Sequence, residues 1–204
     1  MERTPVTFWC DAVCPWTWVT YRWLEQVEQV RPVDVTCRML SLSMLNEGRD
    51  MDEFHQRSHG AGRRYQRVIA AALAQDGQEI GRKLYAEFGR RLHVDKKSPS
   101  RAFDEVVAGA LEALGLPASL AAAADDAAWD PAIRQDHEAA MALVGDDVGS
   151  PVIGIGDVAY FGPVIGEVPH GEAAGQLWDG ALALAKWPSF YEIKRSRTGG
   201  LVIE

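Results

Sequence analysis

The segment Val6-Thr7-Phe8-Trp9, with Cys14-Pro15-Trp16-Thr17 beginning five residues beyond it, decides how this chain is read. The first four residues are short, apolar and β-prone, which predicts a buried strand. Helical spacing then takes over in Trp16, Val19, Tyr21, Trp23, Leu24 and Val27. Pro15 suits a first helical turn, where its missing N–H costs no hydrogen bond. Cys14 therefore stands between a strand end and a helix start. A thiol placed there faces unpaired backbone N–H groups and the positive end of the helix dipole. Both favour the thiolate, the form that attacks disulfides and electrophiles. Trp16 offers a flat apolar surface beside the sulfur for a partner's ring or aliphatic stem. The bland alternative, an inert core cysteine, does not need the strand-Cys-Pro-aromatic-helix context found here.

Working outward, Pro32 ends the first helix and Val33 to Leu40 mostly alternates, as a second strand would. A β-α-β order implies a parallel pair with a right-handed crossover. From Asn46 to Gly145 the chain is Ala-rich, with apolar residues three and four apart in Tyr65 to Leu73, Ile80 to Leu92, Phe103 to Leu114 and Ile133 to Val144. That span is too long for a loop, so residues 46–145 are expected to form an inserted, all-helical subdomain. It divides a domain made of residues 1–45 and 146–204. Strand signals return in Val152 to Ile155 and Val158 to Phe161, separated by the hairpin pair Gly156-Asp157. Glu172 to Lys186 reads as a last helix, with Leu177, Trp178, Leu182 and Leu184 on or near its apolar side. The class is α/β, in the order β-α-β, helical insertion, β-β-α, which is the thioredoxin topology.

Composition sets outer limits. With 204 residues, 47% hydrophobic and 25% charged, the chain can bury a real core. A formal net charge of −8 argues against general nucleic-acid binding, which needs clustered Lys and Arg. Arg63-Arg64 with Arg67, and Arg90-Arg91 with Lys96-Lys97, are read as solvated helix faces. No apolar run approaches the roughly 18 to 20 residues that span a bilayer. The start Met1-Glu2-Arg3-Thr4-Pro5 lacks a secretory h-region, so a cytoplasmic location is expected, with no membrane partner. Three cysteines cannot close a disulfide framework among themselves.

The ordered set Phe8-Trp9, Cys14-Pro15-Trp16 with Trp18, Ser41-Leu42 with Leu45-Asn46-Glu47 and Arg49-Asp50 resembles one known family. So do Val144-Gly145, Asp147-Val148-Gly149-Ser150-Pro151, Phe161-Gly162-Pro163-Val164, Gly171-Glu172, Leu177-Trp178-Asp179 and Lys194-Arg195 with Arg197-Thr198. The chain is similar, over nearly its whole length, to the DsbA-like thioredoxin superfamily and within it to the actinobacterial mycothiol-dependent reductases, a nitroreductase among them. The resemblance implies a thiol-disulfide or thiol-dependent reductase that uses mycothiol or glutathione as co-substrate and holds no tight cofactor. It also implies that Ser150-Pro151 carries a cis-proline opposite Cys14, exposing the Ser150 backbone for an extended peptide or a thiol cofactor's amide. Asn46 maps to the border of the family's cleft; a cap or turn residue is its plain alternative.

Thr17 is the departure. Dithiol relatives carry Cys-Pro-Trp-Cys and expel their partner with the second thiol, which Thr17 cannot do. Its hydroxyl is left to donate a hydrogen bond to the Cys14 thiolate, so cycling needs an external thiol. The substrate is then a small-molecule or protein disulfide. Cys10, four residues upstream, is a possible resolving thiol only if the loop folds back far enough to meet disulfide geometry. Cys37 is read as a packed strand residue. His55 and His59 share a helix face but lack a carboxylate pattern, so no metal is expected. Two rival functions stay open. One is a thiol transferase or isomerase of the kappa-class and hydroxychromene-carboxylate type, whose serine falls where Cys14 stands. The other is a binding module without redox turnover.

Overall fold

The structure is a computed structural model that describes residues 3–204. Its first strand, β1 (Thr4–Cys10), runs beside β2 (Val33–Met39) in parallel, with Phe8 opposite Cys37 and Cys10 opposite Met39. Between them α1 (Pro15–Val30) makes the crossover. The hairpin of β3 (Val152–Ile155) and β4 (Val158–Phe161) adds antiparallel strands on the other side of β1, giving the order β2-β1-β3-β4. The two-residue turn is Gly156-Asp157, and Gly156 sits at φ +61°, a conformation that side chains resist. These strand limits match the alternation and turn chemistry of the sequence.

Strand alternation sorts the core onto two faces. Val6, Phe8 and Cys10 share one face with Val35, Cys37, Met39, Ile153 and Ile155, and all of them enter the main core. Trp9 points the other way and packs with Val152, Leu40, Leu45 and Ala140. Ala140 belongs to α6 (Asp130–Val144), which lies on this second face. Asp136 of α6 accepts hydrogen bonds from the Met39 N–H (3.1 Å) and Arg38 Nη1 (3.0 Å), so a buried carboxylate fastens the helix to edge strand β2.

Between β2 and β3 lie α2 (Leu42–Leu45), α3 (Glu53–Asp76), α4 (Gln78–Gly89) and α5 (Phe103–Ala113), then α6. A single π-turn, Arg90–Val94, extends α4. Tight three-residue turns occupy Ala118–Asp125 and Ala127–Trp129 between Pro117 and Pro131. Arg67 pairs with Asp130 (2.7 Å) and Arg64 with Asp125 (3.0 Å). These arginines were expected on solvated faces; instead Arg64 ties α3 to the first of those turns and Arg67, largely covered, ties it to the start of α6.

The last helix, α7 (Gly171–Ala185), packs on α1. Its contact face matches expectation only in part, with Trp178 buried and Leu182 packed against the core. Ala174, Gly175, Trp178 and Ala185 are buried, whereas Leu177 and Leu184 are exposed. The small residues let α7 approach closely enough for the Trp23 indole N–H to reach the Ala174 carbonyl at 3.1 Å. None of the described helices is long and apolar enough to cross a membrane.

Candidate active site

Cys14 is the N-cap of α1, in extended conformation, with Pro15 as the first helical residue. Its carbonyl accepts the Trp18 N–H and its own N–H bonds to the Asp11 carbonyl, both at 3.1 Å. Cys14 is only 8% exposed. Its thiol donates to the Ser150 carbonyl at 3.7 Å, and the Thr17 hydroxyl shares a 2.7 Å hydrogen bond with that of Ser150. The Ser150–Pro151 peptide bond is cis. Cys14, Thr17, Ser150 and Pro151, far apart in sequence, thus meet at one point. The Ser150 backbone does not lie open as expected: the residue is 6% exposed and its carbonyl is turned to the cysteine.

The electrostatics reverse another expectation. Burial raises the Cys14 pKa above its ordinary value, and the negative charge of Asp11 adds to the rise. Hydrogen bonding from the Thr17 side chain and backbone lowers it, but desolvation is the larger effect.

Two residues outside the candidate site set brace the cysteine loop. Asp11 is fully buried; one carboxylate oxygen accepts the Leu42 N–H at 2.9 Å and the other the Val13 N–H at 3.2 Å. It ties the loop to the start of α2, and desolvation lifts its pKa to about 6. His93, in the π-turn, donates from Nε2 to the Ala12 carbonyl at 2.8 Å and packs against the Trp18 ring. Burial lowers its pKa to about 4, so it is neutral at physiological pH. The only sequence signal for Asp11 was an acid inside an apolar run; His93 could be read as lying near a cleft, but nothing local tied it to Cys14.

Asn46 caps α2, donating to the Leu42 carbonyl at 2.9 Å, and has no hydrogen bond to the cysteine loop. Trp16 is half-buried, and the Arg197 guanidinium stands 4.4 Å from its ring centre, covering one face of the surface meant for a partner. Cys10 does not face Cys14. Its thiol donates to the Arg38 carbonyl of β2 at 3.5 Å, on one side of β1, while Cys14 turns to the segment before β3 on the other. All three cysteines are free, and Cys37 is buried in the sheet. His55 pairs with Asp52, which caps α3.

A parallel pair crossed by a helix with a cysteine at its N-cap, an antiparallel hairpin preceded by a cis-proline, and helices inserted between them define a DsbA-like thioredoxin fold. Solved structures agree on that fold. Hydroxychromene-carboxylate isomerase is similar at a TM-score of 0.63 and 14% identity, over 88% of this chain and 94% of that one. A probable DsbA oxidoreductase of Streptomyces coelicolor gives 0.56 and 19%, over 96% and 95%. The cytosolic disulfide reductase DsbM of Pseudomonas aeruginosa, solved with glutathione, gives 0.53 and 14%, over 88% and 99%. The model of the Rv2466c-like family, described as mycothiol-dependent nitroreductase Rv2466c, matches residues 13–195, and the chain belongs to that family. A relative in Mycobacterium tuberculosis, the uncharacterized protein Rv2286c, is 29% identical over 197 residues, 96% of this chain and 83% of that one. Family and fold place the chain among thiol-dependent redox proteins.

Proposed function

We propose that the protein is a one-cysteine, low-molecular-weight-thiol-dependent reductase, with Cys14 as nucleophile and mycothiol, ahead of glutathione, as the thiol that completes the cycle. The observation that carries this reading is the placing of Thr17 where a resolving cysteine would stand, its hydroxyl bonded to Ser150 beside the Cys14 thiol. The Cys14 thiolate attacks one sulfur of a disulfide, forming a mixed disulfide and releasing the other sulfur as a thiolate. External thiolate then attacks the partner sulfur of the mixed disulfide, and the Cys14 thiolate departs. Thr17 donates to the departing thiolate; Pro15, Trp16, Ser150 and Pro151 border the substrate. Asn46 shapes the cleft through α2, which Asp11 holds to the loop. On this reading residues 46–145 are the helical subdomain over the cleft, and the protein works in the reducing cytoplasm.

The test is mass spectrometry after incubation with oxidised mycothiol and, separately, oxidised glutathione. One thiol adduct on Cys14 is expected, removed by excess reduced thiol and absent from Cys14→Ser. Modification of Cys10 or Cys37 instead overturns the reading.

A second reading, a binding module without turnover, draws on the burial of Cys14 and its raised pKa. It requires that no adduct form even at alkaline pH and that Cys14→Ala leave the cellular function intact.

A further inference from the structure

We infer that Arg197 is a specificity-determining residue of the Cys14 site, favouring disulfides that carry a negative charge close to the reacting sulfur. This rests on Cys14 being the nucleophile, as proposed above.

The polypeptide beyond α7 forms no regular element, yet it runs back over the start of α1. The Val202 N–H bonds to the Gly166 carbonyl at 2.8 Å, the Trp18 indole N–H to the Glu204 carbonyl at 3.2 Å, and Leu201 and Ile203 pack against the core. These anchors bring the tail back to α1, where Arg197 lies over Trp16, two residues along the chain from Cys14. Stacked on an aromatic ring, a guanidinium keeps its N–H edge free for an oxygen ligand. Among the described residues no carboxylate lies within ion-pair distance of Arg197, while Arg31, Arg38, Arg64, Arg67 and Arg82 are all paired. The nearby acids are already engaged: Asp11 is buried under the loop and bonded to backbone N–H groups, and Glu204 pairs with His170. In a chain of net charge −8, an unpaired cation lying over the ring of Trp16, two residues along the chain from Cys14, is not needed for folding. It is available to a ligand.

Its part is binding, not bond making. When the Cys14 thiolate attacks a disulfide sulfur, the Cys14–sulfur bond forms, the sulfur–sulfur bond breaks, and the leaving sulfur takes the electron pair as a thiolate. A carboxylate near that sulfur is drawn to Arg197 before attack and stays near it as charge builds on the leaving group.

The experiment compares the rates at which Cys14 reacts with two aromatic disulfides, the dianionic dithiobis(nitrobenzoate) and the uncharged dithiodipyridine, in the full-length protein. Signal remaining in Cys14→Ser is subtracted. Arg197→Gln should lower the anionic-to-neutral rate ratio by about threefold to fivefold at low salt, the scale of one exposed ion pair. Arg197→Lys should keep most of the ratio, and high salt should shrink the wild-type preference towards that of Arg197→Gln. An unchanged ratio, or an equal fall in both rates, overturns the inference and leaves Arg197 a structural clasp. If Cys14 in the wild-type protein reacts with neither reagent, the nucleophile assignment fails first and the inference falls with it.

Discussion

The hydroxyls of Thr17 and Ser150 share a 2.7 Å hydrogen bond that joins the first turn of α1 to the residue before β3. The same serine receives the Cys14 thiol through its carbonyl, so one residue organises both partners of the site. Thr17→Val keeps the volume and removes the hydroxyl, leaving the buried Ser150 hydroxyl without its partner. Stability should fall by about 1–3 kcal/mol in urea unfolding. The Cys14 pKa should also rise further, because the Thr17 hydrogen bond is one of the effects that lower it. Iodoacetamide alkylation measured against pH reads this directly. An alkylation midpoint that stays put, or moves down, would show that Thr17 does not act on the thiol.

Thr17→Cys builds the Cys-Pro-Trp-Cys dithiol of the dithiol relatives that the sequence resembles. The new thiol sits on the first turn of α1, three residues from Cys14, where it can attack the mixed disulfide from within. Exposed to oxidised thiol, this variant should pass through a brief adduct and settle at a mass two hydrogens below the reduced protein. The wild type should hold its adduct until reduced thiol is added. An adduct equally persistent in the variant would mean that position 17 cannot reach Cys14.

Two buried groups on the cysteine loop pull stability in opposite directions with pH. Asp11 has its pKa raised from 3.8 to about 6 by desolvation, so the folded state binds the proton more tightly than the unfolded chain. Its contribution is full below pH ~4 and is lost as pH rises through ~6, a change of about 3 kcal/mol. His93 has its pKa lowered from 6.5 to about 4, so its contribution is full above pH ~6.5 and lost as pH falls through ~4, by a similar amount. The wild type should therefore look nearly flat across this window as far as these two are concerned. Asp11→Asn should leave the His93 slope uncompensated, with stability falling towards acid. His93→Gln should uncover the Asp11 slope, with stability rising towards acid. Parallel curves for all three proteins would refute both assignments. Asp11→Asn should in addition lower the Cys14 pKa, since the Asp11 charge raises it.

What the sequence made legible was what local chemistry controls. The alternation from Val33 and the Gly156-Asp157 pair placed β2 and the hairpin within a residue, because period and turn type are written in neighbours. Pro15 placed the start of α1, and with it Cys14. What it could not show depends on residues distant in sequence. The sign of the Cys14 pKa shift follows from burial that Ser150, 136 residues away, helps to impose. The bracing role of His93 rests on a contact with Ala12 that spans 81 residues. Leucine spacing put Leu177 and Leu184 on the apolar side of α7 in error, although Trp178 and Leu182 do face the core, since close packing of Trp23 against Trp178 calls for Ala174 and Gly175 at the contact rather than for bulk.

Gly89 offers a last test, because it ends α4 against the Trp18 ring that His93 also covers. Its backbone is ordinary right-handed helix, φ −59° and ψ −45°, so alanine there is conformationally welcome. Helix propensity alone would make Gly89→Ala stabilising by about 1 kcal/mol. A Cβ at this position, however, would overlap the six-membered ring of Trp18, which is held inside the core. Overpacking of this kind costs about 1–3 kcal/mol, so the net change should be destabilising. Gly60, within α3, is the control: a Cβ there meets nothing within 4 Å. Gly60→Ala should therefore gain about 0.5–1 kcal/mol from propensity with no contact to offset it. Opposite signs in urea unfolding would establish that the cysteine helix is seated on α4 by the absence of a side chain. The same sign for both would refute it.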